Sequence, residues 1–424
     1  MDIRGACVIA LAFVAGCGDR EPAAPQLPTV TTAALVSPAA AGSAEPHLAP
    51  ADDGSAVLSW LEPDGDGVAL RFAVLRDDRW QEARTVARGR DWFVNWADFP
   101  SVVPIRNDFW AAHWLVKRPG GTYAYDVAVA LSSDAGASWR DPIVPHADGT
   151  PTEHGFVSLF PAPGGVGAVW LDGRNMADAT EAAAHHDAHG TGGGMTLRAV
   201  ELSADGEILD NALLDELVCD CCQTDAVIVG RDPLVVYRDR SPGEVRDIHL
   251  VRSVEGTWQT AAPVHEDGWE IAGCPVNGPA VAAAGKNVAV AWFTAADDKP
   301  RVRAAYSPDG GINFGPAIDV DAALPIGRVD IEMLGGATFV VSWLARDDQS
   351  AGWLVARAVG FDGMLHPPYV VAATATGRSA GVPQMVRRGE HLVFAWTAGT
   401  GPDGGVATAR VAVRELTARP AQPR

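Results

Sequence analysis

The chain has 424 residues, with 33 Lys and Arg against 53 Asp and Glu, and a formal net charge of −20. Such an acidic balance repels polyanions and sets nucleic acid aside as a partner. Hydrophobic residues make up 47% of the chain, enough for a large core, and 45 Gly, 30 Pro and 14 Trp against 6 Met describe sheets and frequent turns rather than packed helices.

Met1–Arg4 carries a basic residue, and Ala6–Val14 is an apolar run too short to span a bilayer. It ends in Val14-Ala15-Gly16-Cys17, which resembles the bacterial lipobox. That resemblance implies cleavage before Cys17 and lipidation of its thiol. Residues 1–16 are therefore expected to be a lipoprotein signal peptide. Residues 17–46, rich in Ala, Pro, Thr and Ser, are expected to be the lipidated Cys and a flexible tether. The protein is placed at the bacterial cell envelope as a monomer, facing the periplasm or the cell surface and held to the membrane through its lipid alone.

From residue 47 to 416 one unit recurs seven times. Its mark is an apolar strand ending in an aromatic: Trp60, Trp114, Trp170, Tyr237, Trp292, Trp343 and Trp396. Most neighbours are about 50–56 residues apart, the length of a propeller blade. Each copy reads as strand, Gly turn, aromatic-ended strand, polar loop, alternating strand and short last strand. The expected fold is an all-β propeller of four-stranded blades in one domain, seven blades favoured over six, with 417–424 as a tail. The seventh copy lacks an outer strand, and Thr29–Val36 is the segment able to supply it and hide both edges.

Two turns, Ser132-Ser-Asp134-Ala-Gly136-Ala-Ser-Trp139 and Ser307-Pro-Asp309-Gly-Gly311-Ile-Asn-Phe314, resemble the Asp-box of the sialidase-like propeller superfamily. In such a turn Asp accepts backbone N–H groups, Gly takes a positive φ, and the aromatic packs under the hairpin. The resemblance covers nearly all of the chain after the tether and implies the fold; the boxes themselves are structural.

In a four-stranded meander the segments leading into each first strand open on the same side as the loops between strands 2 and 3. The Asp turns fall on the opposite side, so ligands are expected over the axis on the lead-in face. That face is rich in chemistry. Asp98, Glu153, Asp172, Asp239 and Asp330 are candidate catalytic carboxyls for a glycosidase, which needs two across the bond. Trp92 and Trp96 offer sugar-stacking faces. Asn95, Gln223 and Asn277 are candidate hydrogen-bonding residues, and Arg174, Arg238, Arg240, Arg328 and Arg378 candidate anion clamps. Sialidase relatives hold a carboxylate with three arginines and attack with a Tyr paired to a Glu. Here the stretch Phe99-Pro-Ser-Val-Val-Pro104 lacks the first arginine, and no Tyr begins a late inner strand, so sialidase activity itself is not expected.

Cys219-Asp-Cys221-Cys222, with Cys274 one blade later, forms the most distinctive segment. In an oxidising compartment four cysteines are read first as two disulfides. The alternatives are redox thiols, or a Zn or Cu(I) site to which His154 contributes; no other cofactor is expected. His185, His186 and His189 read as part of a flexible loop. The resulting expectation is a lipid-anchored propeller that binds or hydrolyses a carbohydrate or other small ligand through its central funnel. The alternative is a non-enzymatic envelope scaffold whose Cys-rich face holds a metal or partner.

Overall fold

A computed structural model describes residues 27–177, 194–322, 324–399 and 404–418, and within them seven antiparallel sheets. The innermost strands are Ala44–Pro50, Ser101–Arg106, His154–Pro161, Asp225–Val229, Ala280–Ala284, Leu324–Gly335 and Gln384–Arg388. Each packs against the inner strands of both neighbouring blades, and the last meets the first, so the ring closes with seven blades. Among the described residues the one α-helix is the short Val413–Thr417, and no helix is long and apolar enough to cross a membrane.

The aromatic at the end of each second strand explains why the repeat is so regular. Trp60, Trp170, Tyr237, Trp292 and Trp343 have no exposed surface, and Trp114 and Trp396 are nearly as buried. Each ring fills the seam with the blade before it. Trp170 packs on Val127, Val129 and Leu131 of blade 2, and Trp292 on Leu234, Val236 and Leu250 of blade 4. Burying one such side chain is worth about 1.5–3 kcal/mol, so the seven together set the blade spacing.

Blade 7 has three strands of its own, Gln384–Arg388, His391–Ala398 and Gly405–Ala412, and takes Thr32–Leu35 as its outermost strand. The register runs from Thr32 opposite Val411 to Leu35 opposite Thr408. The expected closure by Thr29–Val36 is therefore seen. The expected tether boundary is corrected: the fold already includes Thr32–Leu35, and the first inner strand begins at Ala44 rather than after residue 46. Composition misled here because Ser43 and Glu45 look like tether residues. In fact Ser43 Oγ accepts the Val406 N–H at 3.0 Å and Glu45 is buried. Blade 2 also departs from expectation: its fourth position is held only by a bridge between Val129 and Ile143.

The two Asp turns form as chemistry requires. Asp134 accepts the Ser138 N–H at 2.8 Å, Ser132 Oγ accepts the Gly136 N–H at 2.9 Å, and Gly136 has φ +73°. Ser307, Asp309 and Gly311 repeat this with distances of 2.9 Å for both backbone bonds. The aromatic does not stay under its own hairpin. Trp139 meets Phe72 of blade 1 edge-on at 6.1 Å, and Phe314 packs with the core of blade 4, so these turns staple one blade to the one before. Cys17 and the histidines at 185, 186 and 189 lie outside the described residues.

Candidate functional site at the axial face

The lead-in segments converge on the axis, and most of their polar side chains hold the ring together. Asp225 accepts the Val281 N–H at 2.7 Å, and Asp330 accepts backbone N–H groups of Ile331 and Met385, each reaching the next blade's inner strand. Burial pushes the Asp330 carboxyl well up from its usual range. Gln223 ties three blades: its Nε2 donates to the Ala97 carbonyl at 2.6 Å and its Oε1 accepts the Gly278 N–H at 3.0 Å. Asn277 accepts the Arg328 N–H at 2.7 Å and donates to the Ile326 carbonyl. Asn95 caps its own turn through the Ala97 N–H.

Four of the five candidate arginines are already occupied. Arg238, 1% exposed, donates to the carbonyls of Asn277, Arg246 and Phe293 at 2.6–3.0 Å and lies 4.9 Å over Trp269. Arg328 donates to the Gly377 and Gly381 carbonyls and sits 4.2 Å over the Trp96 ring. Arg240 pairs with Glu244 and Asp220, and Arg174 grips Asp172 with two bonds of 2.7 Å. Arg378 is exposed. Trp92 is corrected from sugar platform to core: it is 7% exposed and stacked on Trp114 at 5.4 Å.

Two carboxyls do meet across a tyrosine. Tyr125, fully buried and stacked on Phe93, has its hydroxyl 2.7 Å from Glu153 Oε1 and 3.0 Å from Asp98 Oδ2. Asp98 also accepts the Phe156 N–H at 2.7 Å, at a residue with φ +56°. A phenol has one hydrogen and cannot donate to both carboxylates. One of the two acids must therefore carry a proton and donate to the tyrosine oxygen. Consistently, burial raises Asp98 to about 7 against partial opposition from the Phe156 and Tyr125 bonds, and raises Glu153 to about 8. Burial, with Asp98 beside it, also takes Glu45 to about 8. The sequence passes over Glu45 because it sits in a tether-like stretch, and over Tyr125 because its partners come from two other lead-in segments.

Glu45 and Trp96 line a chamber of about 220 Å³ with Ser379, Gly381 and Thr397, between blades 7, 1 and 2. Glu45 Oε2 and Thr397 Oγ1 are buried there without a hydrogen-bond partner.

Two further clusters flank this centre. His146 and His154 stack in parallel at 3.8 Å, surrounded by Asp126, Asp148 and Asp172. Asp172 is a buried ion-pair partner of Arg174 there, and burial, then the His154 charge, lowers His146 to about 3. Asp239 lies beside Asp215 and His249, and burial raises it to about 7. The cysteines gather without His154, which only the metal alternative had joined to them, and the two disulfides read first from the sequence are not formed in the structure. All four are thiols in the structure, and Cys219 and Cys222 Sγ are 3.5 Å apart. Burial pushes the Cys219 thiol up, but hydrogen bonds from Cys221 and Cys222 and the charges of Arg246 and Arg238 hold it well below its usual range.

No protein-family model matches the chain, and no curated protein matches it. Among solved structures it is similar to a Dyadobacter fermentans protein of unknown function, at 16% identity and a TM-score of 0.53, over 91% of this chain and 99% of that one. It also aligns with a polysaccharide lyase, Uly1, at 9% identity and a TM-score of 0.49, over 85% and 88% of the two chains. A Trypanosoma rangeli sialidase in complex with sialic acid aligns at 12% and 0.48, over 88% of this chain and 60% of that one. At such identities the likeness speaks to fold.

Proposed function

We propose that the protein is an exported, lipid-anchored propeller that binds a carbohydrate in the chamber between blades 7, 1 and 2. The observation that carries this reading is a pair of buried, unpartnered polar atoms, Glu45 Oε2 and Thr397 Oγ1, on two residues of the chamber lining. Each unmet group costs about 1–3 kcal/mol, and a ligand with hydroxyls on several sides meets both. Trp96 adds an apolar ring face, the complement of a sugar's C–H surface. At about 220 Å³ the chamber is smaller than the roughly 300–1,000 Å³ of drug-sized sites, which suits a single sugar unit at a chain end.

Glycoside cleavage needs two carboxyls flanking the bond. Glu45, a proton donor at neutral pH, is the one carboxyl among the described residues lining the chamber, and Asp98 behind it is held by the Phe156 N–H and Tyr125, so binding is the reading the site supports. A sialic acid carboxylate is disfavoured, because a clamp of three arginines is not available: Arg174, Arg238, Arg240 and Arg328 are engaged by the protein's own carboxylates and carbonyls, which leaves Arg378.

The test is calorimetric titration of neutral and acidic monosaccharides and short glycans into wild type, Glu45→Gln and Trp96→Ala, with released reducing sugar measured in parallel. A neutral sugar bound at least about tenfold more weakly by each variant supports the reading; that ratio corresponds to about 1.4 kcal/mol. No saturable glycan binding, or binding indifferent to both substitutions, refutes it.

A further inference from the structure

The cysteine cluster lies beside the carboxyl centre but is chemically distinct from it. Cys219 and Cys222 are fully buried and Cys221 half-buried, and their three Sγ atoms all lie within 4.8 Å of one another. Cys274 comes from the lead-in of the next blade and is exposed, three residues before Asn277, whose backbone N–H donates to Cys222 Sγ at 3.4 Å. Three sulfurs thus gather at one point, and the exposed segment that carries the fourth packs against them.

The spacing suits an ion better than a bond. A disulfide needs sulfurs about 2.05 Å apart, whereas Cys219 and Cys222 Sγ stand 3.5 Å apart. Around a tetrahedral ion with bonds of about 2.3 Å, neighbouring sulfurs sit about 3.8 Å apart. The surroundings also suit thiolates. Arg246, 1% exposed, donates from its NH1 to Cys219 Sγ at 3.2 Å, and the Asn277 backbone N–H donates to Cys222 Sγ at 3.4 Å. Glu244 fixes the same guanidinium from its other side at 2.9 Å. Such outer partners orient sulfur ligands and offset their charge.

We propose that Cys219, Cys221, Cys222 and Cys274 bind one thiophilic d10 metal ion, Zn(II) or Cu(I), with Cys274 as the solvent-side ligand. An all-sulfur set selects these soft ions over Mg(II) or Ca(II). The nearby acids Asp220 and Glu244 are held by Arg240 and Arg246, so the sulfurs face the ion without carboxylate competition. The proposal is independent of the sugar chamber, which shares none of these side chains.

The test uses the full chain purified anaerobically, with Zn(II) titrated against a chromophoric chelator and Cu(I) titrated likewise in a separate arm. One ion per chain is expected, with all four cysteines protected from alkylation until a chelator and denaturant are added together. Cys221→Ser and Cys274→Ser should each weaken binding at least about tenfold, and Arg246→Gln by about 10–100-fold as an outer-shell partner. Cys274 is exposed, so its variant keeps the fold even where replacing a buried cysteine does not; circular dichroism checks this. Co(II) added to the apo chain should show thiolate charge-transfer absorption. Two disulfides in protein taken from its native compartment, neither ion retained, or affinity unchanged in Cys274→Ser and Cys221→Ser, would each overturn the assignment.

Discussion

Replacing Asp98 by Asn tests whether the Asp98–Tyr125–Glu153 group holds a proton that the unfolded chain does not. In the fold, Tyr125 Oη contacts both acids, so one proton beyond its own is required among the three groups. Asp98 is 3% exposed and its folded value is about 7 against an ordinary 3.8. The sign follows from linkage. The folded state binds the extra proton between these two values and the unfolded state does not, so stability falls as pH rises. The slope for one proton is about 1.4 kcal/mol per pH unit, and over roughly three units the cost reaches about 4 kcal/mol as a ceiling. The penalty is absent below about pH 4 and complete above about pH 7. In Asp98→Asn the amide N–H₂ supplies the hydrogen to the tyrosine oxygen at every pH, Tyr125 donates to Glu153, and Oδ1 keeps the Phe156 N–H. Urea unfolding followed by tryptophan fluorescence from pH 4.5 to 8 gives both profiles. The difference between them should tilt by about 1.4 kcal/mol per pH unit in the variant's favour as pH rises. Parallel profiles would refute the shared proton and leave the close contacts at Tyr125 unexplained.

Removing residues up to Val36 strips blade 7 of its outer strand and uncovers the Gly405–Ala412 edge. Losing the buried Val30 and Leu35 alone should cost about 3 kcal/mol or more, and size-exclusion chromatography should show association through the open edge. Gly136→Val places a Cβ 2.6 Å from Phe72 Cζ at φ +73°, whereas Gly54 has a similar φ of +77° and open space. Thermal melts should therefore show the Gly136 variant losing more than Gly54→Val, by about 1–3 kcal/mol; equal losses would mean that the turn does not bear on the neighbouring blade. Arg238→Met leaves three buried carbonyls without their donor, and chemical denaturation should register a loss of about 3–5 kcal/mol while sugar affinity stays unchanged.

Legibility in the sequence followed the length scale of each interaction. The blade repeat was readable because each copy carries its aromatic at one position in the second strand, and burial in one seam after another enforces that position. The closure by Thr32–Leu35 was readable because the last copy was visibly one strand short. The boundary at residue 46 was not, because the difference between a tether and an inner strand rests on Ser43 accepting the Val406 N–H of blade 7 and on Glu45 being buried at the axis. The site failed in a related way. Arg238, Gln223 and Asn277 are polar residues on a functional face, but only their partners reveal that they satisfy backbone groups between blades. Composition flags polarity and cannot distinguish a latch from a ligand contact.

A closed ring of seven blades leaves inner strands crowded at the axis, where each lead-in ends one sheet's hydrogen bonding and begins another's. Backbone N–H groups at those junctions have no strand partner, and Asp98, Asp225 and Asp330 meet them from the side. Carboxyls are therefore needed at the axis for structure, and their burial raises their proton affinity without any catalytic demand. A raised carboxyl there is weak grounds for chemistry by itself. What separates Glu45 from those latches is that its buried Oε2 has no hydrogen-bond partner in the protein and the residue belongs to the chamber lining, while the latching acids are consumed by backbone bonds. The same distinction singles out the cysteines: among the described residues Cys219, Cys221 and Cys222 gather at one point without latching any backbone group across the ring except the Asn277 N–H.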